Sequence, residues 1–171
     1  FGPLGLTPSI AITSLGIDDN VFNDVENPKR DTTAAIGPAV SLWLNLGRSR
    51  MTGKSSGQYL YFKEYDNQRA WNTSDEGRWE LPLARVTPFL TGSYANSRDR
   101  PGYEIDSRAR QRTNSAGLGT ELRLSGKTSI VVSGKRSRLA FDDRETFLGA
   151  QLAAALNRRS DAGEVQVRYK L

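Results

Sequence analysis

The 171-residue sequence contains neither cysteine nor histidine. The first absence removes disulfides, thiol nucleophiles and Cys-ligated zinc or iron–sulfur sites. The second removes the Ser-His-Asp triad, His-ligated metals and the commonest general base near neutral pH. Most enzymes are thereby disfavoured, and no catalytic residue, cofactor or metal is expected. No apolar run comes near the ~18 residues of a membrane-spanning helix, and the mean hydropathy is −0.55. A spanning β-barrel is untouched by this, because its lipid face uses only alternate residues. A dense basic block is also missing. The 24 Lys and Arg are interleaved with 19 Asp and Glu, for a net charge of +5. That pattern gives a surface with a modest positive bias and no nucleic-acid partner. Hydrophobic residues at 37% and charged residues at 25% fit one ordered domain over 1–171. The chain opens on Phe1 with no charged and apolar leader after it, as expected of a processed chain or an internal piece.

The dominant signal is an alternation of period two. Ala34, Ile36, Pro38, Val40, Leu42, Leu44 and Leu46 fall on one side; Ala35, Gly37, Ala39, Ser41, Trp43 and Asn45 fall on the other. The run is longer than a usual globular strand and long enough to cross a bilayer at a tilt, which takes about 9–11 residues. Leu6, Pro8, Ile10 and Ile12 alternate with Thr7, Ser9, Ala11 and Thr13. Leu118 and Leu122 alternate with Gly119, Glu121 and Arg123, and Val165 and Val167 with Gln166 and Arg168. Eight strands are predicted, at 6–15, 32–46, 50–64, 69–83, 87–96, 108–124, 128–141 and 164–171. The fourth is the weakest, because its apolar phase of Trp71, Thr73, Gly77 and Trp79 also carries Asp75. Either a bulge near Ser74 or a membrane segment starting at Gly77 would relieve it.

Three connections are compact: Gly47-Arg48-Ser49, 83–86 and Ser125-Gly126-Lys127. Between them lie mostly longer polar stretches, at 16–31, 97–107 and 142–163, with a short turn at Asp66-Asn67 in the fourth such slot. Short turns at one end and long loops at the other are the pattern of outer-membrane barrels, with the short turns periplasmic. Phe147 to Leu156 has the spacing of a short helix on the loop side, with Asp143 or Thr146 as its cap. The expected fold is therefore all-β, an antiparallel up-and-down meander of about eight strands forming part of a transmembrane β-barrel. A soluble all-β carbohydrate-binding module, with its aromatics as a stacking platform, is the alternative, because a sandwich alternates too.

Five segments in order carry a resemblance: Gly16-Ile17-Asp18-Asp19-Asn20-Val21-Phe22, Tyr59-Leu60-Tyr61-Phe62, Gly77-Arg78-Trp79-Glu80-Leu81-Pro82-Leu83, Arg100-Pro101-Gly102-Tyr103-Glu104, and Phe147-Leu148-Gly149 through Leu156-Asn157-Arg158-Arg159. Together they resemble a β-barrel porin family of the bacterial outer membrane, some of whose members belong to exopolysaccharide export systems. Members of that family are about twice as long, so the resemblance implies the N-terminal portion of a barrel, truncated at the C-terminus. Closing strands of such barrels commonly end in an aromatic residue, and this chain ends at Leu171. Asp75 stands where the family would have an apolar residue.

The function expected is porin-like passage or positioning of hydrophilic solutes in the cell outer membrane of a Gram-negative bacterium, linked to exopolysaccharide export. Its lumen would be lined by Thr7, Ser9, Thr13, Ser41, Asn45, Glu121, Arg123, Gln166 and Arg168. Partners would be outer-membrane lipid and lipopolysaccharide, with polysaccharide or small hydrophilic solutes as cargo. Arg108, Arg110 and Arg112 share one side of an extended chain, with Arg98 and Arg100 across the Pro101-Gly102 turn. Their parity is that of the lipid side, so they are expected above the membrane, on the long-loop rim. There an arginine fork suits phosphate or carboxylate, although Asp99, Glu104 and Asp106 could neutralise it. The aromatics Trp43, Tyr59, Tyr61, Tyr65, Trp71, Trp79, Phe89 and Tyr94 lie mostly near strand ends, as interfacial girdles do. The acidic loop from Asp18 to Asn27 lacks calcium-loop spacing and reads as a polar turn. Asp142, Asp143 and Glu145 have no partner constellation for acid–base work.

Overall fold

The structure is a computed structural model that describes residues 2–22, 24, 26–100 and 108–170. The Pro101-Gly102 turn, Glu104, Asp106 and Leu171 lie outside the described residues. Strands β1 (Leu4–Asp18), β2 (Asp31–Leu46), β3 (Ser49–Phe62), β4 (Ala70–Glu80), β5 (Val86–Asp99), β6 (Ala109–Arg123) and β7 (Thr128–Phe141) follow one another. Next come a two-residue pair, β8 (Thr146–Phe147) and β9 (Ala150–Gln151), a helix α1 (Leu152–Leu156), and the last strand β10 (Arg158–Tyr169). Eight of these strands form one sheet in the order β1-β2-β3-β4-β5-β6-β7-β10. Every neighbouring pair is antiparallel. This is the all-β, eight-stranded meander that the alternation predicts. The sheet is open: among the described residues β1 and β10 are each paired on one side only.

The turns segregate as their lengths predict. At one end, Gly47 and Arg48 join β2 to β3, with Gly47 at φ +61° in the first central position, where a two-residue hairpin tolerates glycine best. The same end holds 81–85 and 124–127. The longer connections at 63–69 and 142–157 lie at the opposite rim, where β1, β5 and β6 also have their loop-side ends, at Asp18, Asp99 and Ala109.

Three boundaries extend past expectation for one reason, while β4 stops at Glu80, three residues short of its predicted end. β1 runs on to Asp18, β5 to Asp99, and β10 starts at Arg158, six residues before the predicted position. In these extensions Ile17 is the only large apolar residue, so hydrophobic alternation is lost, while the backbone still pairs; Arg158 to Gly163 match Leu139 to Gly134. The helix is also shorter than its spacing suggests. Phe147 goes into the small β8–β9 pair, and α1 is five residues long without a side-chain cap.

The register of β4 is continuous from Arg50↔Glu80 to Leu60↔Ala70, so the bulge considered near Ser74 is not there. Asp75 does sit on the apolar face, where Ser55 Oγ donates to its Oδ1 at 2.5 Å. The bulge lies instead in β1, between Thr13 and Gly16, where Ser14 has φ +54°.

Candidate functional site

Directly paired residues of antiparallel strands share a face, so the register sorts the whole sheet into two sides. One side carries Leu6, Ile10, Ile12, Ile36, Val40, Leu42 and Leu44 on β1 and β2. It continues through Met51, Tyr59, Trp71 and Trp79, then Leu90, Leu118 and Leu122, to Ile130, Val132, Val165 and Val167. The apolar positions read from single strands thus join into one continuous face. The opposite side holds Thr7, Ser9, Thr13, Ser41 and Asn45, with Glu121 and Arg123 and Gln166 and Arg168. All nine residues expected to line a lumen share that face.

Burial is distributed the reverse way from a soluble sheet. The buried strand residues Asp31, Ala35, Phe62, Ala70, Phe89, Ala109, Val131 and Phe141 all belong to the polar side. Ile10 is 76% exposed, Leu118 66%, Val165 71% and Val167 67%, all on the apolar side. The total accessible surface is 11921 Å², whereas a soluble monomer of this mass would expose about 8,300 Å².

The sheet curls toward its polar side at the long-loop rim. Strands β1 and β6 are five places apart, about 24 Å in a flat sheet. Yet Arg108, just before β6, pairs with Asp18 at the end of β1 at 3.8 Å. Its guanidinium also lies 4.6 Å from the ring centre of Phe62, on β3. Arg100 Nη2 donates to the Val21 carbonyl at 2.9 Å, tying the β5–β6 connection to the β1–β2 loop. The polar face is therefore concave and the apolar face convex. Burial, then the neighbouring Arg100 charge, push the Arg108 guanidinium down from its ordinary value, while Asp18 and Asp99 pull it back up. It stays a cation, as arginine does in proteins.

The long-loop rim is further closed by the β7–β10 connection. Leu152 of α1 is buried with Ala109 and Phe141, and Leu139, Phe147 and Leu156 pack against them. Ala109, Leu139 and Phe141 lie on the concave face, so α1 leans into the mouth. Arg110 N donates to Glu145 Oε1 and Phe141 N to Asn157 Oδ1, which anchors the connection at both ends. Asp31 braces the next loop: its carboxylate accepts from the backbone N–H groups of Thr32, Glu64 and Tyr65 at 2.6–3.1 Å. Burial pushes this rim carboxyl up, but the N–H groups of Tyr65, Glu64, Thr32 and Lys63 together outweigh it and hold it below its ordinary value. Nothing in the alternation pattern marked Asp31; its signal is only that a buried acid at a strand start needs donors.

The five rim arginines stand at the predicted end, but they do not form one ladder. Arg110 and Arg112 keep the convex parity. Arg108 turns inward to Asp18 and Phe62. Arg98 Nη1 donates to the Asn67 carbonyl, and Arg110 Nη1 to Asn96 Oδ1 and the Trp71 carbonyl. Arg98, Arg100, Arg108 and Arg110 are thus spent on lashing the rim together. The aromatics also divide. Tyr59, Tyr61, Trp71, Trp79 and Tyr94 are on the convex face, with Tyr59 and Trp71 6.4 Å apart near the long-loop side. Trp43 and Phe89 fall on the concave face, because their parity is that of Ser41 and Thr91; Phe89 lies beneath the Arg78 guanidinium at 3.9 Å.

At the short-turn end the concave face opens into a recess of about 510 Å³ lined by Glu121, Arg123, Lys127, Arg168 and Lys170. Arg168 pairs with Glu121 at 3.6 Å. The middle of the same face is hydroxyl-rich; Ser93 and Ser115 share a hydrogen bond at 2.7 Å. Among the described residues no group of His, Cys, Asp and Glu is arranged to hold a metal ion. No described helix is long and apolar enough to cross a membrane, which leaves strands untouched. The acidic loop spends its oxygens on its own backbone, Asp24 Oδ1 accepting from Glu26 N and Asn27 N. Comparison with known proteins gives no match to a family model, a curated protein or a solved structure.

Proposed function

We propose that this chain forms wall of an outer-membrane β-barrel of the porin type, in a Gram-negative bacterium, whose concave face passes or positions hydrophilic solutes, with exopolysaccharide as the favoured cargo. The observation that carries the proposal is the exposed convex face, apolar across all eight strands. In water that surface is far beyond the few hundred Å² of apolar patch an ordinary monomer shows. In a bilayer the same surface is solvated by acyl chains, and paired strands leave little backbone polarity exposed. The curl, the segregated turns and the hydroxyl-lined inner face agree with it. The Ser55–Asp75 and Arg136–Asp161 pairs are polar exceptions on the convex face, each internally satisfied and small beside the stretch of apolar side chains around them. A soluble carbohydrate-binding module would need a second layer over those side chains, and no described segment packs there. Transport requires no chemical step, so no catalytic role is assigned.

Single-tryptophan variants test the proposal. The chain is folded into phosphatidylcholine bilayers containing brominated acyl chains. Trp71 and Trp79, on the convex face, are expected to be strongly quenched, and Trp43, on the concave face, to keep most of its emission. Equal emission from all three, or a monodisperse monomer that melts cooperatively in water without detergent, would reject the membrane wall.

A further inference from the structure

The proposed membrane wall leaves one feature of the convex face unexplained. Arg138 on β7 and Arg159 on β10 are direct cross-strand partners. Their Cβ atoms are then about 4.5–5.5 Å apart, a spacing at which like charges destabilise a sheet. Arg112 on β6 is diagonal to Arg138, since it pairs with Ala140 while Asn114 pairs with Arg138, and it stands one strand further from Arg159. All three side chains are exposed, and among the described residues none has a carboxylate within 4.0 Å. One row nearer the short turns, Arg136 is neutralised by Asp161 through two bonds of 2.7 and 3.0 Å. The sheet therefore neutralises one arginine and leaves the next row as an opposed cationic pair. These residues differ from the arginines already used at the rim.

Their height decides what could neutralise them. Below this row the convex face becomes apolar through Val132 and Ile130 on β7 and Val165 and Val167 on β10. Arg138 is six residues from Val132, which is about 14 Å along the membrane normal for a strand tilted by 45°. With the 124–127 turn at the opposite interface, five residues below, Val132 sits near the middle of a 25 Å apolar band, whose half is about 12 Å, so the pair emerges just past the hydrocarbon on the long-loop side. That is the level of lipid headgroups in the leaflet facing the cell exterior. A guanidinium fork binds phosphate bidentately. We infer that Arg112, Arg138 and Arg159 form a docking site for the phosphates of a phosphorylated glycolipid of the lipid A class in the outer leaflet. The inference rests on the membrane-wall proposal and adds a defined lipid partner to it.

The test uses the chain folded into brominated phosphatidylcholine bilayers and titrated with fluorescent lipid A, lipid A stripped of its phosphates, or phosphatidylglycerol. Arg138→Gln with Arg159→Gln is expected to weaken lipid A binding about tenfold or more at low salt, with the loss shrinking as salt rises. Arg138→Lys with Arg159→Lys, which keeps charge and loses the fork, should recover only part of it. Arg123→Gln with Arg168→Gln, on the concave face, should bind as the unaltered chain does. Equal binding of stripped lipid A, or equal loss from the concave-face pair, would overturn the site. Equal binding of phosphatidylglycerol would overturn the glycolipid as its occupant. Trp79 quenching in the same samples separates the two proposals. If Trp79 is quenched and the arginine variants still bind fully, the lipid site alone fails; if it is not quenched, the membrane wall fails and the site with it.

Discussion

The two faces of this sheet are made by the same strands, yet they differ in chemistry and in burial. On the concave face the residues vary in size and polarity, and most of the buried ones gather near the long-loop rim: Phe62 under Arg108, and Ala109 with Phe141 under α1. The convex face is mostly aliphatic and aromatic, with few side-chain contacts beyond strand pairing, Ser55–Asp75, Arg136–Asp161 and Tyr59–Trp71 among them. Packing inside a protein needs complementary shapes, whereas a fluid hydrocarbon accepts any apolar outline. In the proposed membrane wall, that difference accounts for an alternating sequence with a plain aliphatic phase and a varied polar phase.

A charge placed on adjacent residues gives the largest expected contrast. Leu42 and Ser41 are neighbours on β2, about five residues from the Gly47 turn, and point to opposite faces. Leu42→Arg is expected to cost about 2–4 kcal/mol of folding stability in bilayers, as charges do near the membrane midplane. Ser41→Arg should be close to neutral. Unfolding by denaturant in lipid vesicles measures both, and equal costs would erase the distinction between the faces.

The Asp75 exception sharpens the same comparison. Asp75→Val should raise stability in bilayers by about 1–2 kcal/mol, since a carboxylate on a lipid-facing surface is unfavourable, though less so than a lysine or arginine. If the same denaturant experiment instead shows a loss, the convex face at β3 and β4 is covered by something polar.

A smaller effect belongs to the rim. Arg108→Gln removes a half-buried ion pair with Asp18 and a stack on Phe62, together worth about 1 kcal/mol. Limited proteolysis should then cut the 19–30 loop faster while circular dichroism keeps its strand signal. Loss of the strand signal would mean that the curl depends on this one contact.

The smallest is a pH effect at Asp31. Its folded pKa is below the ordinary 3.8, so the stability it contributes is fully present above the unfolded value and is lost as the pH falls through the lower, folded one. Hydrogen exchange at Glu64 and Tyr65 N–H should therefore remain protected at pH 5 and rise only below about 3.8. Asp31→Asn should abolish that dependence.

Legibility in the sequence follows the apolar band. Within it, strand positions, turn ends and the face of every expected lumen residue were readable, because apolar side chains take one face and polar or small ones the other, and the period of two reports which. The Asp75 phase was readable for the same reason, down to its place on the wrong side. Outside the band the signal fails. The strand extensions at Gly16 to Asp18 and Arg158 to Gly163 hold one large apolar residue, Ile17, between them, too few for an alternation, and only the neighbouring backbone tells them to pair. The rim arginines show the same limit. Parity placed Arg110 and Arg112 on the convex face, but Arg108 stands outside the strand, where parity no longer applies.

The sequence by itself determined a single antiparallel meander, its short-turn and long-loop ends, and its two chemical faces. These are local consequences of side-chain alternation and turn composition. Only the tertiary structure decided which face is concave, that Arg108 and Arg100 lash the rim from within, and that Arg138 meets Arg159. Each of those depends on residues from strands or loops far apart in the chain, and a period of two holds no information about which strand lies beside which or how the sheet bends.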